Sequence, residues 1–326
     1  MSTVARECRG SLPWIEKYRP RVLEDVRGNA DVIRALLSYK TPAELPHLLL
    51  HGPPGAGKTS AILAIARSFY GDTGCSSMVL ELNASDYRGV DTVRNEIECF
   101  TRCSFVAEAE GKTLAKMVIL DEADSLTHLS QCALRSLIDR SGDRVRFCLC
   151  CNFISKLSEG LVSRCTSFRF STIAKSELLC TTRTVAKKEG LSISEDCLDT
   201  VVKLSHGDAR RAINLLQSVS LSVYNDLFHQ SIYSYCGVPE PAEIGAVLES
   251  LLKKSFNEAY HELHDLVFGN HCSLAQIIAL LAEHLVAREH SRLGVVLSHL
   301  ADVESCLSEG GSEALGVAAV TSAFHF

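Results

Sequence analysis

At 326 residues the chain has room for about two domains of roughly 150 residues, or three smaller ones. Hydrophobic residues make up 46% and charged residues 22%, which excludes a largely disordered chain. A net charge of −6 excludes a generally basic nucleic-acid binder. The charge is uneven: residues 231–326 hold 4 Lys/Arg against 12 Asp/Glu, whereas residues 1–230 hold 29 against 27. An acidic section therefore begins near residue 231, and any basic surface belongs to the front of the chain.

In chain order, His47-Leu48-Leu49-Leu50-His51 is a short apolar run ending at Gly52, the pattern of a buried strand. Thr59 to Tyr70 is predicted as a helix, with Ile62, Ile65, Ala66 and Phe69 on one face. Met78–Leu82 is predicted as a second strand and Asp91–Phe100 as a helix with Val93, Ile97 and Phe100 in register. Met117–Leu120 and Phe147–Cys151 complete four strands alternating with helical stretches. That order implies a mostly parallel sheet covered on both faces.

Beyond about residue 172 the strand signal largely disappears. Lys175–Glu189, Ser194–Ser205 and Asp208–Ser220 read as three short helices. Gly237-Val238-Pro239-Glu240-Pro241 is a turn-rich break, followed by helical patterns over 242–254, 256–268, 273–288, 291–308 and 312–323. Ile277, Leu280, Leu281, His284 and Leu285 form an amphipathic stripe suited to a helix-packing interface.

The chain holds 14 cysteines, yet Arg6, Glu7 and Arg9 interrupt any signal-peptide pattern at its start. No apolar run approaches the ~20 residues that span a bilayer. The cysteines are thus read as reduced thiols of the cytosol or nucleus. Cys148-Leu149-Cys150-Cys151 contains one C-x-x-C, and a zinc site is the alternative there, but no second pair stands at a zinc spacing. A buried strand using Cys as a small hydrophobe is the favoured reading.

Gly52-Pro53-Pro54-Gly55-Ala56-Gly57-Lys58-Thr59 fits G-x-x-x-x-G-K-[ST] between a strand and a helix, the context of a P-loop. Its backbone N–H groups would close around the phosphates of ATP at a helix N-terminus, with Ser60 in the same first turn. Lys58 is expected to reach the β- and γ-phosphates, and Thr59 to ligate Mg²⁺. Asp121-Glu122 follows the third strand directly; the Asp suits the Mg²⁺ shell and the Glu suits polarisation of an attacking water. Asn152, ending the fourth strand, is placed to hydrogen-bond that water or the γ-phosphate.

P-loop, Asp121-Glu122, Asn152, Ser163-Arg164-Cys165 and Gly207-Asp208-Ala209-Arg210, in this order, resemble the AAA+ clamp-loader ATPases, specifically the small subunits of eukaryotic replication factor C. The resemblance covers nearly the whole chain. It includes Leu12-Pro13-Trp14-Ile15-Glu16-Lys17-Tyr18-Arg19-Pro20, Leu82–Asp86, Ile119–Ser125 and Leu161–Phe170. Cys236–Pro241 and Ser-Arg-Cys-Thr-x-Phe-Arg-Phe are most similar to the branch numbered five in animals and three in fungi.

The resemblance implies an α/β P-loop AAA+ ATPase domain over 1–172, an all-α lid over 173–230 and an all-α oligomerisation collar over 231–326. It also implies a nuclear hetero-pentamer with other replication factor C subunits. ATP with Mg²⁺ would drive opening of a sliding clamp and its loading on primer–template DNA, in replication and repair, with no membrane involved. Tyr18, Arg19 and Pro20, with Val26 to Gly28, match the segment against the adenine. Asn152 matches sensor 1, Arg210 the sensor 2 arginine, and Arg164 the arginine finger acting on the neighbouring subunit's ATP. Arg88, Arg94, Arg102 and Arg135 match the DNA-facing positions, with targets expected to be phosphates. Arg88 carries a further implied role, restraining Glu122 until DNA arrives.

Three departures bear on clamp and DNA contact: Ser136 after Arg135 where the family has a second arginine, Tyr87 at a usually acidic position, and the His128–Cys132 segment. Two other readings are a mainly structural ATP-binding subunit of a related checkpoint loader and a different AAA+ DNA motor. The intact catalytic set counts against the first, and the lack of a pore-loop or DNA-wedge element against the second.

Overall fold

Continuous apolar runs along three central strands build a sheet that is buried on both faces. The computed structural model describes residues 12–86, 90–102, 108–109, 112–113, 115–191, 193–222, 232–233, 236–270, 272–287 and 293–325. The chain divides into two compact units, Met1–Leu221 and Ser222–Phe326.

The first unit opens with a single turn, α1 (Trp14–Lys17), and a helix, α2 (Ala30–Ser38). Then follow β1 (Leu48–His51), α3 (Lys58–Met78), β2 (Val79–Asn83) and α4 (Val90–Arg102). A two-residue hairpin, β3 (Glu108–Ala109) and β4 (Lys112–Thr113), precedes β5 (Lys116–Asp121), α5 (His128–Ser141), β6 (Val145–Cys151), α6 (Glu159–Val162) and β7 (Thr166–Arg169). Five strands form one parallel sheet in the order β2-β5-β6-β1-β7.

Side chains of a strand point to opposite faces in turn, and the burial follows that rule. Leu48, Leu50, Met117, Ile119, Cys148 and Cys150 join one core with Ile62 and Ile65 of α3. Leu49, Val118, Leu120, Phe147, Leu149 and Cys151 join the other, with Leu134, Leu137 and Ile138 of α5. Cys148, Cys150 and Cys151 are thus strand hydrophobes. Burial pushes all three thiols up, Cys151 to about 11.

Three helices complete this unit: α7 (Lys175–Lys188), α8 (Glu195–Leu204) and α9 (Ala209–Ser222). Ser194 Oγ caps α8 by accepting from the Cys197 N–H, and Asp208 Oδ1 caps α9 by accepting from the N–H groups of Arg210 and Arg211. The second unit has α10 (Pro241–Lys253), α11 (Phe256–His264), α12 (Leu274–Ala287), α13 (Leu293–Ser308) and α14 (Glu313–His325) among its described residues. Pro241 occupies the first turn of α10, and capping boxes start α10 (Glu240 with Glu243) and α11 (Ser255 with Glu258).

The structure corrects several expected bounds. The helix after the P-loop continues to Met78, across a break at Gly71 (φ 68°, ψ 174°). The sheet has a fifth strand, β7, whose residues are mostly exposed at one edge. The α12 stripe of Ile277, Leu281 and Leu285 is fully buried in the second unit's own core, so it packs that unit internally. Among the described residues no helix is long and apolar enough to cross a membrane.

Candidate nucleotide site

Parallel pairing brings the carboxyl ends of three adjacent strands side by side, where open α/β sheets bind ligands. β1 runs into residues 52–57, β5 into Asp121-Glu122, and β6, which lies between them, into Asn152. The loop after β1 depends on glycine at two places. A Cβ on Gly52 (φ +145°) would stand 2.1 Å from the Phe170 carbonyl oxygen, and one on Gly55 (φ +66°) 1.7 Å from Asp208 Oδ1. The Ala209 N–H donates to the Gly55 carbonyl across 3.3 Å, so the start of α9 rests on the loop.

Lys58, only 7% exposed, donates from Nζ to the carbonyls of Gly52 and Pro53, both at 2.8 Å, and to Asn152 Oδ1 at 2.9 Å. Burial lowers its pKa, against the opposing pull of nearby Asp121 and Asp124. Thr59 Oγ1 donates to Asp121 Oδ2 at 2.8 Å, and the Glu122 N–H donates to Asp121 Oδ1 at 2.9 Å. A hydroxyl and a carboxylate converging this closely are the hard oxygen donors that Mg²⁺ takes alongside phosphate. Glu122 itself is exposed and held in the left-handed region at φ +52°. A non-glycine residue there costs on the order of 1–3 kcal/mol and is typical of functional sites.

Arg164 lies just beyond α6, 34% exposed, two residues before β7 and so at the amino end of the parallel sheet, opposite the end that carries these residues. Its Nε and Nη2 donate to Asp139 Oδ1 and Oδ2 at 2.6 and 3.0 Å, and its Nη1 to the Gly160 carbonyl at 2.7 Å. The paired hydrogen bonds raise the pKa of Arg164 and lower that of Asp139. Arg210 sits in the first turn of α9 with an exposed side chain.

Three family models match consecutive parts of this chain. The ATPase family associated with various cellular activities matches residues 48–172, an RCF1/5-like AAA+ ATPase lid domain matches 183–221, and the replication factor C C-terminal domain matches 239–323. Replication factor C subunit 3 of Saccharomyces cerevisiae is 39% identical, covering 99% of this chain and 96% of that protein. Replication factor C subunit 5 of Homo sapiens is also 39% identical, covering 97% and 92%. The chain belongs to the replication factor C small subunits. A Thermotoga maritima RuvB Holliday junction branch migration motor matches with TM-score 0.52 at 18% identity, over 83% of this chain and 91% of that one, which bears on the AAA+ fold alone.

As a replication factor C small subunit with an AAA ATPase domain, the chain is an ATPase, and its relatives place it in a multi-subunit complex. Its remaining sequence-implied residues divide by location. Val26 is buried, with Cγ1 3.2 Å from where a Gly57 Cβ would lie, and Gly28 (φ +78°) backs onto Ile173. Tyr18 donates its hydroxyl to Glu189 Oε1 at 2.5 Å, and Lys17 and Lys188 stand 5.4 and 5.7 Å from its ring centre. These contacts tie the segment around Tyr18 to the end of α7. Arg19 pairs with Glu16 at 2.6 Å, and Pro20 is half-buried beside it. Ala56 is buried and Ser60 half-buried under the loop.

Of the four arginines that the sequence resemblance implies for DNA contact, Arg88 lies outside the described residues. Arg94 and Arg102 are on α4, with side chains outside them. Arg135 is exposed on α5 and packs on Gly160, where a Cβ would be 3.1 Å from its Nη1. It therefore shares the neighbourhood of Arg164.

Four contributors escape sequence reading. Asn29 Oδ1 accepts from the Ser171 N–H and hydroxyl at 2.8 and 2.9 Å. Glu189 holds Tyr18, Asp208 covers Gly55, and Asp139 pairs with Arg164. Only Asp208 leaves a signal, an Asp immediately before a helical pattern.

Proposed function

We propose that this chain is the ATP-hydrolysing small subunit of a nuclear, hetero-pentameric clamp loader that opens a sliding clamp and places it on primer–template DNA. The observation that carries this reading is the convergence of Lys58, Thr59, Asp121 and Asn152 at one end of the sheet, in a chain with a replication factor C C-terminal domain.

The residues act as follows. Backbone N–H groups of the loop and the start of α3 bind the phosphates, and Lys58 exchanges its carbonyl partners for β- and γ-phosphate oxygens. Thr59 Oγ1 and Asp121 Oδ2 are the residues that would hold Mg²⁺, which supplies counter-charge to those phosphates. Glu122 takes the proton of the attacking water, oriented by Asn152. Arg164 stabilises transition-state charge at the neighbouring subunit's site, a contribution of ~10³–10⁵ in rate for such fingers. Arg210, carried by α9 on the loop, reports the γ-phosphate to the lid. Clamp docking is supported by exposed apolar side chains near the sheet's carboxyl end, Leu129 at 71% and Phe153 at 60%. DNA contact falls to Arg88, Arg94, Arg102 and Arg135, through phosphates and with steep salt dependence. The same machinery serves replication and repair synthesis.

The test is clamp loading by complexes purified from cells with this subunit tagged. Wild-type complex loads clamp on primed DNA in an ATP-dependent manner, and Lys58→Ala complex of the same composition loses nucleotide at this site and loads poorly. A complex lacking sister subunits, or loading indifferent to Lys58→Ala, contradicts the proposal.

A further inference from the structure

We infer that Asp139 is a positioning residue for hydrolysis in trans, holding the Arg164 guanidinium in a phosphate-ready orientation before the neighbouring subunit arrives. The inference rests on the finger assignment made above for Arg164.

Asp139 takes Arg164 by one edge, Nε to Oδ1 at 2.6 Å and Nη2 to Oδ2 at 3.0 Å, while Nη1 donates to the Gly160 carbonyl at 2.7 Å. A guanidinium has five N–H groups in a rigid planar fork. Among the described residues these contacts use three, leaving one N–H on Nη1 and one on Nη2. Those terminal nitrogens are the pair that can grasp two oxygens of a phosphate. The side chain is also 34% exposed. The carboxylate thus fixes the plane of the group without using up its donors, which distinguishes a holder from a brake.

The holder is itself well fastened. Asp139 is one turn along α5 from Arg135, which packs on Gly160 of α6. Nearer the start of α5, buried Gln131 donates to the carbonyls of Leu126 and Lys156 and accepts from the Ser158 N–H at 2.7 Å. Two points along α5 therefore grip the segment that ends in Arg164. An arginine on a freely rotating stem would have to lose that freedom when the ring closes. One already oriented does not, and misplacement of a reacting group by about 1 Å can cost 10²-fold in rate.

The experiment measures steady-state ATP hydrolysis in the purified complex with clamp and primed DNA, for Asp139→Asn, Asp139→Ala, Asp139→Glu and Arg164→Ala, each checked for subunit composition. Asp139→Ala and the isosteric Asp139→Asn should lower kcat about tenfold with KM for ATP unchanged. Asp139→Glu should restore most of it, and Arg164→Ala should lose more than either. Should Asp139→Ala fail to assemble, Asp139→Asn carries the comparison. Normal turnover in the Asp139 variants beside a crippled Arg164→Ala complex overturns this inference and leaves the finger assignment standing. Faster turnover in Asp139→Asn also overturns it, because the carboxylate would then be a restraint. Normal turnover in Arg164→Ala overturns the finger assignment itself.

Discussion

Replacing Gly52 by alanine separates two costs that the structure lets us size independently. At Gly52 the backbone has φ +145°, and a Cβ would stand 2.1 Å from the Phe170 carbonyl oxygen and 3.0 Å from its carbon. The obstacle is main chain at the end of the sheet, where the Phe170 N–H is bonded to the His51 carbonyl at 2.8 Å, so it has little room to yield. Gly190 supplies the control: it too has positive φ, +67°, but nothing lies within 4 Å of its ideal Cβ. Gly190→Ala therefore carries only the conformational cost, about 1 kcal/mol, whereas Gly52→Ala adds overlap and should reach roughly 3 kcal/mol or more, at the upper end of backbone strain. At about 2–4 °C per kcal/mol for 150–250 residues, the melting temperature should fall by roughly 2–4 °C for Gly190→Ala and 6–12 °C for Gly52→Ala. The Gly52 carbonyl also receives Lys58 Nζ at 2.8 Å, so Gly52→Ala should weaken binding of a fluorescent ATP analogue as well, and Gly190→Ala should not. Equal melting shifts for the two variants, or wild-type nucleotide affinity in Gly52→Ala, would show that the Phe170 main chain does not confine this position.

Gln131→Ala removes three hydrogen bonds at a residue that is 3% exposed and leaves the Lys156 and Leu126 carbonyls and the Ser158 N–H without that partner. Its cost should be about 1–3 kcal/mol in chemical denaturation, and a variant within a few tenths of wild type would show that the polar grip is unimportant. Thiol alkylation at pH 7.5, read by peptide mass spectrometry, should mark exposed Cys99, Cys132, Cys180 and Cys306 first. Cys151 and Cys165, whose thiols burial pushes up to about 11, should react only on unfolding, since the thiolate is the nucleophile; early labelling of Cys151 would contradict its place in the buried sheet.

The central sheet was readable because Leu48–Leu50, Met117–Leu120 and Phe147–Cys151 are continuous apolar runs, as strands buried on both faces must be. β7 was not, because Thr166–Arg169 lies at an edge with mostly exposed residues and so has no apolar run. The long extension of α3 was hidden by Gly71 and the polar residues after it, which read as the end of a helix. At the site, the P-loop was legible because phosphate binding demands glycines and a lysine at fixed spacing. Asp139 was not, since it lies 25 residues from Arg164 and only the packing of α5 against α6 brings the two together. The Ile277–Leu285 stripe was legible from its amphipathic spacing, and the helix packing it implied is that of the second unit's own core.

The most direct measurement is ATP turnover by a complex in which this subunit alone keeps its P-loop lysine, with clamp and primed DNA present. Hydrolysis should be measurable at this single site and lost on Glu122→Gln while nucleotide stays bound. A site that binds ATP yet cleaves none, or cleavage that survives Glu122→Gln, would contradict this and leave the chain a structural member of its complex.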